Sequence, residues 1–215
     1  MAQVFPAGCN VLARALLAGA ALLAATAAVG GYVFYWSPIV TQVGVPIEQP
    51  VPFSHKHHVA ELGIDCRYCH TGVEKAAFAG LPPTETCMTC HSQVWRDAPM
   101  LEPVRQSWAR HEPLRWTRVN DLPDYVFFNH AIHIQKGVGC VSCHGRVDEM
   151  PLTAKGADLS MRWCLECHRS PEKSLRPAGE IFNPDYHPPP QPSPDLARDS
   201  HLDRPRLEDC STCHR

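Results

Sequence analysis

The chain has 215 residues and a formal net charge of −2, with 44% hydrophobic and 20% charged residues. This balance excludes a disordered tail, a fully membrane-embedded bundle and a basic nucleic-acid-binding protein. Its 21 prolines exclude many long helices or a broad sheet. The chain has seven Phe, five Tyr and five Trp beside 11 Cys and 13 His, so something besides side-chain burial must hold it together.

An uncharged segment, residues 15–36, follows Arg14 near the N-terminus. As a helix it spans about 33 Å, enough to cross a bilayer core of about 30 Å. It ends in three aromatic residues typical of a membrane interface, Tyr32, Tyr35 and Trp36. A cleaved signal peptide is the alternative, because residues 25–27 offer a small-residue cleavage site. The apolar run is longer than a typical signal core, so we predict an uncleaved anchor.

This anchor predicts a single pass through the cell inner membrane. Residues 1–14 would form a cytoplasmic N-terminus, residues 15–36 the transmembrane helix, and residues 37–52 an extended linker. Everything after Ser37 would lie on the periplasmic side. Cys9 faintly resembles a lipid-attachment site, but no apolar core precedes it, so we predict no role for it.

Ten of the eleven cysteines occur in one pattern, Cys-x-x-Cys-His, which recurs five times. The cysteine pairs are Cys66 and Cys69, Cys87 and Cys90, Cys140 and Cys143, Cys164 and Cys167, and Cys210 and Cys213. This is the attachment signature of c-type haem. Thiols at i and i+3 lie on one side of a helical turn, where they can bond to two vinyl groups on one porphyrin edge. The next residue is the predicted proximal iron ligand: His70, His91, His144, His168 and His214.

Three other uses of paired cysteines fit this pattern less well. Zinc sites need no histidine directly after each pair, and five pairs cannot be divided evenly among four-thiolate sites. A disulfide framework would not require one repeated spacing followed by histidine. A redox dithiol normally occurs once, near a βαβ pattern that is not visible in this sequence. The sequence therefore predicts five covalently bound haem c groups.

Eight histidines remain, and four of them lie in a repeated phrase, Phe-x-His-x-x-His. It occurs at residues 53–58, before the first haem motif, and at residues 128–133, before the third. Because i and i+3 face roughly the same side of a helix, one segment can offer imidazoles to two neighbouring irons. We expect His57, which falls within the first phrase, to be solvated. The predicted distal iron ligands are His55, His58, His130 and His133.

The fifth iron receives no histidine from this phrase. Met150 lies close after the third motif, and a thioether ligand raises the reduction potential because it favours ferrous iron. His201 is the second choice, and His187 and His111 are further candidates. The sequence leaves the fifth distal ligand open, with Met150 favoured over His201.

The two phrases belong to an internal duplication. Residues 53–70 align with residues 128–144 with one gap, and a further haem motif follows each of them. The predicted segments are di-haem module 1 at residues 53–91, a linker at 92–127, di-haem module 2 at 128–168, and an extension with the fifth haem at 169–215. Within this extension, residues 184–194 predict an extended, polyproline-like chain.

Few residues are available per haem, so the macrocycles must form much of the core. Short helices would carry the Cys-x-x-Cys-His turns, with little or no sheet. The predicted fold class is therefore mostly α with much irregular coil. Haem propionates add negative charge to a chain already near neutrality, so nearby arginine and lysine side chains should partly offset it.

The repeated arrangement of phrase and haem motif resembles the cytochrome c3/c7 family of multihaem cytochromes, across roughly residues 53–168. The whole layout is similar to the pentahaem subunit of bacterial alternative complex III. The strings FSHKHHV, GIDCRYCH, GCVSCHGRVDEMP and RWCLECHR carry that likeness. The resemblance implies three kinds of partner: integral membrane quinol-binding subunits, an iron–sulfur subunit related to molybdopterin enzymes, and a monohaem cytochrome c.

The leading functional hypothesis is a non-catalytic electron-transfer subunit in a respiratory chain. It would relay electrons within a quinol-oxidising complex towards a cytochrome c or terminal oxidase. A free-standing membrane quinol dehydrogenase that feeds a periplasmic reductase is the alternative, and it needs a quinol site beside one haem. A reductase of nitrogen or sulfur oxyanions would need an open iron with acid or base groups nearby, such as His111.

Overall fold

The computed structural model describes residues 5–6, 8–189 and 194–214. The chain divides into two compact units, Met1–Gln42 and Val43–Arg215. Residues 190–193 of the predicted polyproline-like segment lie outside the described residues. Residues 186–189 form neither helix nor strand, but residues 184–185 lie in a turn and Pro194 begins a helix, so the described ends of this segment are not extended.

The first unit is built on helix α1, Gly8–Tyr35, which has 28 residues, none of them buried. It begins upstream of the predicted anchor, so Arg14 lies within the helix rather than before it. Helix α2, Pro38–Thr41, follows Ser37 and carries its proline in the first turn, where no hydrogen bond is lost. In the described chain, α1 is the one helix long and apolar enough to cross a membrane, properties that signal sequences share.

Short helices joined by irregular chain make up the second unit. The α-helices are α3 (Cys66–Cys69), α4 (Thr84–His91), α5 (Glu102–Arg110), α6 (His130–Gln135), α7 (Val141–His144), α8 (Met161–Arg169), α9 (Pro194–Asp199), α10 (Arg204–Leu207) and α11 (Cys210–Cys213). A π-helical segment covers Lys56–Glu61. Shorter 3-10 turns cover Pro99–Leu101, Val147–Glu149, Pro171–Lys173 and Ala178–Glu180.

The residues that the structure describes contain no β-strand. Isolated bridges join Val43 to Lys155, Pro46 to Ala154, Val126 to His214, and Val138 to Leu175. Frequent prolines explain this, because each one removes a backbone donor that a sheet would need. The prediction of a mostly helical fold with much coil and little sheet is confirmed.

Polar side chains cap several of the helices that carry haem motifs. Asp65 accepts a hydrogen bond from the Arg67 backbone N–H at the start of α3, and Asp209 accepts from Ser211 at the start of α11. Ser160 caps α8 in a similar way. Each cap pairs a backbone donor that has no partner within so short a helix. The residue before the motif thus helps the Cys-x-x-Cys segment to form its helical turn.

The apolar core of the second unit consists of two small clusters. One packs against Cys87 and the other against Cys140. Their buried members are Val51, Leu101 and Val104 in the first, and Val73, Ile134 and Ile181 in the second. Side chains alone form little core among the described residues, and each cluster supports a cysteine of a haem motif.

Candidate haem-binding sites

Four pairs of imidazole rings face each other in the second unit. The ring centroids are 6.5 Å apart in His55–His70, 6.1 Å in His58–His91, 6.3 Å in His130–His144 and 6.2 Å in His133–His168. A metal ion bound about 2 Å from the nitrogens of two opposed imidazoles separates their centroids by roughly 6 Å. Each pair combines one histidine of a haem motif with one of a Phe-x-His-x-x-His phrase. The spacing therefore fits an iron with one proximal and one distal histidine.

The two Phe-x-His-x-x-His phrases repeat the same aromatic contacts. Phe53 stacks on His58 with centroids 4.4 Å apart, and Phe128 stacks on His133 at 4.5 Å. Each phenyl ring meets the other histidine of its phrase edge-on. The first phrase leads into a π-helical turn and the second into an α-helical one. In each phrase the phenylalanine nevertheless packs against both imidazoles with the same geometry, stacked on one ring and edge-on to the other.

Hydrogen bonds at Nδ1 orient the imidazole rings. Backbone carbonyl oxygens lie 2.7–3.4 Å from seven of these Nδ1 atoms. The pairs, each given as the histidine and then the residue that supplies the carbonyl, are His58 and Ser54, His70 and Gly80, His91 and Val94, His130 and Ala77, His133 and Asn129, His168 and Leu207, and His214 and Tyr125. A carbonyl oxygen only accepts, so Nδ1 carries the proton and Nε2 keeps its lone pair for iron. His55 Nδ1 lies 3.0 Å from the hydroxyl of Thr153, which can accept in the same way.

His144 meets a side-chain amide instead of a carbonyl. Asn120 Nδ2 lies 3.1 Å from His144 Nδ1, while Asn120 Oδ1 is enclosed without a partner in the described chain. If His144 binds iron through Nε2, two N–H donors oppose each other in this arrangement. Rotating the amide by half a turn places Oδ1 against Nδ1 and makes a hydrogen bond. With that rotation, Asn120 fits a role in orienting His144.

Burial favours the neutral form of several of these imidazoles, and a neutral imidazole is the form that can bind a metal ion. Burial lowers the pKa of His55 to about 4, and neighbouring imidazoles add to the effect. The pKa of His144 is also lowered to about 4, chiefly by burial. The pKa values of His58 and His133 shift in the same direction, because burial penalises the charged ring.

Thiols of the third motif lie close to those of two other motifs. Contact with the Cys140 thiol lowers the pKa of Cys66, in the first motif, to about 7. The same contact, together with burial, raises the pKa of Cys140. Burial raises the pKa of Cys143 to about 12, and the thiols of the fourth motif add to that rise.

Contacts also join the first motif to the second and the fourth to the fifth. Tyr68 Oη lies 3.0 Å from Thr89 Oγ1, and each residue lies between the two cysteines of its motif. Arg169, directly after the fourth motif, pairs with Glu208 at 3.0 Å, just before the fifth motif. Contacts therefore connect the second motif to the first, the first to the third, the third to the fourth, and the fourth to the fifth.

The fifth motif has different surroundings from the other four. The His214 ring stacks on Tyr125 with centroids 5.8 Å apart, and its Nδ1 faces the Tyr125 carbonyl. The Phe127 backbone N–H donates to the Cys213 carbonyl at 2.7 Å. The segment around residues 125–127 therefore supports the last haem motif.

The two predicted candidates for the fifth distal ligand have contacts elsewhere. The Met150 sulfur accepts from the Ala154 N–H at 3.4 Å, and the Met150 carbonyl accepts from Lys56, next to His55. The His201 carbonyl accepts from a lysine side chain. These contacts do not bring either residue to His214, so the fifth distal ligand stays a prediction.

His57 is partly exposed, with 38% of its side-chain surface accessible, and it also has two side-chain partners. Its Nδ1 lies 2.8 Å from Glu61 Oε2, and its ring stacks on Trp95 with centroids 5.5 Å apart. Trp95 comes from the turn after the second haem motif and has a positive φ of 53°. This contact depends on the return of a distant segment, which the sequence pattern around His57 does not indicate.

The cysteines are not bonded to one another, and none joins a larger group of metal-ligating side chains in the part of the chain that the structure describes. All eleven cysteines are free thiols, so no disulfide framework is present. Across residues 5–6, 8–189 and 194–214, no three His, Cys, Asp or Glu side chains converge as a group that could hold a metal ion. A zinc site built from protein ligands alone would need such a group.

Part of the chain is similar to known proteins. Residues 126–215 match the family of cytochrome c7 and related cytochrome c. The matched range contains the second Phe-x-His-x-x-His phrase and the last three haem motifs. The cytochrome c family implies covalently bound haem c, and the cysteine and histidine residues present fit that group.

A curated relative extends this similarity. It is the multihaem cytochrome c subunit of a menaquinone reductase from Nitratidesulfovibrio vulgaris (strain Hildenborough), 37% identical over 113 residues. The similarity covers 52% of this chain and 53% of the relative. The chain thus spans about half the length of the curated relative that it matches. The likeness supports a multihaem cytochrome c.

Proposed function

We propose that this chain is the multihaem electron-relay subunit of a membrane complex that exchanges electrons with quinone. It carries five haem c groups, one on each Cys-x-x-Cys-His motif. Haem iron, when bound, supplies one-electron chemistry by changing between its ferrous and ferric states. The four facing histidine pairs are the observation that carries this proposal. An iron with two histidine ligands has no open position, which favours electron relay over conversion of a substrate.

The chain's own residues hold the ligand rings in place. Phe53 and Phe128 pack against the distal imidazoles, and the Nδ1 hydrogen bonds fix the orientation of each ring. Cysteine pairs on short helical turns set the position of each proximal histidine. Because every ring is held from two sides, the ligands stay oriented where side-chain burial is thin.

The contacts between motifs support one spatial order for the five attachment sites: second, first, third, fourth, fifth. The link between the first and third motifs is the close approach of the Cys66 and Cys140 thiols. In this order the second and fifth motifs form the two ends of the relay. Trp95 lies beside one end and Tyr125 beside the other, and both residues are more than half exposed. We propose that the redox partners dock at these two ends.

The direction of electron flow through the chain depends on whether the complex to which it belongs oxidises quinol or reduces quinone. The resemblance to alternative complex III implies quinol oxidation, whereas the relative is named for menaquinone reduction. Both reactions need a relay between a quinone-binding membrane subunit and another redox partner. We propose as partners integral membrane quinone-binding subunits, an iron–sulfur subunit related to molybdopterin enzymes, and a monohaem cytochrome c. Helix α1 would anchor the chain in the inner membrane, with the haems on the periplasmic side.

Purification of the full-length chain from its native membranes in mild detergent tests this proposal. Intact-mass measurement and a pyridine haemochrome assay count the covalent haems, and five are expected. The chain should co-purify with integral membrane subunits. Menaquinol and a reduced soluble cytochrome, added separately to the assembly, then show which of them reduces the haems.

Three results would contradict the proposal. A colourless chain would remove its basis. Rapid reduction by menaquinol of the chain freed from all other subunits would favour the free-standing quinol dehydrogenase. A high-spin iron that binds and reduces nitrite or sulfite would favour the reductase.

A further inference from the structure

The second histidine of each Phe-x-His-x-x-His phrase is oriented by its own phrase. His58 Nδ1 lies 2.8 Å from the Ser54 carbonyl, and His133 Nδ1 lies 2.7 Å from the Asn129 carbonyl. Ser54 and Asn129 occupy equivalent positions, each four residues before its histidine. Because residues four apart are neighbours on a helical turn, these two rings need no support from another part of the chain.

The first histidine of the second phrase is oriented by residues of the predicted module 1. His130, in module 2, places Nδ1 2.9 Å from the Ala77 carbonyl. Its backbone N–H donates to the same carbonyl at 3.1 Å, and the Ala131 N–H donates to the Ala76 carbonyl at 3.2 Å. The start of the second phrase is therefore held against residues 76–77, which follow the first haem motif.

The first histidine of the first phrase is supported in the opposite direction, by module 2. His55, in module 1, places Nδ1 3.0 Å from the Thr153 hydroxyl oxygen. The next residue, Lys56, donates its backbone N–H to the Met150 carbonyl at 3.1 Å. Residues 150–153 follow the third haem motif much as residues 76–77 follow the first. Each module therefore uses the segment after its own first haem motif to hold the first histidine of the other module.

Thr153 is itself held in place by the segment that precedes the first phrase. Its carbonyl accepts a hydrogen bond from the Ile47 N–H at 3.2 Å. The adjacent residue, Ala154, is 7% exposed and forms a β-bridge with Pro46. These contacts fix the Thr153 backbone, so its hydroxyl has a defined position beside the His55 ring.

We propose that the two modules exchange support for their first distal histidines, and that Thr153 is the positioning residue for His55. This inference rests on the proposed function, because it needs iron at His55. A hydrogen bond from Nδ1–H to an oxygen atom makes an imidazole a stronger electron donor through Nε2. A stronger donor favours ferric iron and lowers the reduction potential of the haem. A residue of module 2 thus lowers the potential of a haem attached to module 1.

The test uses the haem-loaded, full-length chain in detergent, with Thr153→Val and Thr153→Ser as variants. Valine has nearly the shape of threonine but no hydroxyl, whereas serine keeps the hydroxyl. An optical redox titration should show one transition at higher potential in T153V and wild-type potentials in T153S. Thr84→Val is the matched control, because the Thr84 hydroxyl pairs with the Ser107 hydroxyl at 2.6 Å rather than with a ligand ring. T84V should leave every transition in place.

A double-variant experiment assigns the shift to His55. His55→Ala removes the ligand on which Thr153 acts, so adding T153V to H55A should move none of the transitions of H55A. The electron paramagnetic resonance spectrum should agree, with the g values of one low-spin haem changed in T153V and restored in T153S. Equal shifts from T153V in the wild type and in H55A would refute the proposal, because they would reflect packing rather than a hydrogen bond to His55.

Intact mass first confirms that each variant carries the wild-type number of haems. A wild-type chain without haem would refute the proposed function. Unchanged potentials in fully loaded T153V would refute the role of Thr153 and leave the proposed function intact. A T153S variant that shifts as far as T153V would also refute that role, because serine keeps the acceptor oxygen. If T153V fails to load haem, Thr153→Ala takes its place, since it removes the hydroxyl without adding a methyl group, and the same rise in potential is expected.

Discussion

Cys66 and Cys140 belong to different halves of an internal duplication, and their thiols lie close enough for each to shift the pKa of the other. Each is the first cysteine of the first haem motif in its half. The two halves therefore meet at equivalent positions. His55 and His144 also lie close enough for the second imidazole to lower the pKa of the first. This junction turns two separate pairs of motifs into one connected series.

Replacing His130 by alanine should remove a distal ligand and leave the haem attached. Attachment at this site depends on Cys140 and Cys143, and His144 still binds the iron from the proximal side. We expect an unchanged haem count by mass spectrometry, with one iron becoming high-spin and able to bind carbon monoxide. Asp97→Ala, at a side chain that is 88% exposed and cannot bind iron in place of a histidine, should leave the optical and magnetic spectra as they are. A wild-type spectrum from H130A would show that His130 is not a ligand.

Replacing Asn120 by alanine should loosen the His144 ligand, because it removes the acceptor for Nδ1–H. A buried donor left without a partner destabilises a protein by about 1–3 kcal/mol. Denaturant unfolding of the haem-loaded chain measures this loss. Asn120→Asp keeps an acceptor oxygen and should retain more stability than N120A. It should also lower the potential of one haem, because a carboxylate makes the imidazole a stronger donor. Equal destabilisation of both variants would argue against the hydrogen bond.

Asp65→Ala should destabilise the chain by about 1 kcal/mol, the usual effect of losing a helix cap. Asp65→Asn keeps the cap and loses the ion pair with Arg67, which contributes little because both side chains are about half exposed. Denaturant midpoints should therefore fall for D65A and change little for D65N. Asp97→Ala provides a surface control, since the Asp97 side chain is 88% exposed. A midpoint for D65A equal to that of D97A would show that the cap has no effect.

Acid should weaken the residual fold that the chain keeps when it is produced without haem, where the part of the core that the macrocycles would form is missing. His55 and His144 have folded-state pKa values of about 4, compared with 6.5 for a free imidazole. The unfolded chain therefore binds more protons between these values. This contribution to stability is complete above about pH 6.5 and is lost as the pH falls towards about 4. Each imidazole contributes at most about 3 kcal/mol, and the partial exposure of His55 reduces its share.

Denaturant midpoints at pH values of about 7.5 and 4.5 measure this change. The exposed variant His111→Gln should show the same fall in stability as the wild type. Glutamine at His144 cannot titrate, so His144→Gln should show a smaller fall. A midpoint that stays constant or rises on acidification would contradict the assignment of buried, neutral imidazoles.

The facing histidine pairs follow from local features that the sequence displays. The i, i+3 spacing of His130 and His133 places both rings on one short segment, and the preceding phenylalanine holds them there. The motif helices are similarly local, because a capping residue and a Cys-x-x-Cys turn are encoded within a few positions. These elements form with little help from the rest of the chain, so sequence patterns predict them well.

Other parts of the sites depend on contacts between distant segments. Thr153 reaches His55, and Asn120 reaches His144, from elements far away along the chain. Arg176 reaches Gly139 only because the chain folds back after the fourth motif. A single polar residue in a loop produces no periodic pattern in the sequence. The sequence therefore does not reveal which loop residue will contact which histidine. Helix α1 also begins earlier than expected, since Arg14 does not interrupt it.

The carbonyl contacts at Nδ1 have a consequence for the speed of electron hopping. If His133 binds iron as we propose, its ring, which the Asn129 carbonyl holds at 2.7 Å, would not need to turn when the charge on the metal changes. Groups that are already arranged for a new charge state need little rearrangement when that state forms. The reorganisation energy at such a centre is therefore small, and transfer between neighbours can be fast even when their potentials are nearly equal.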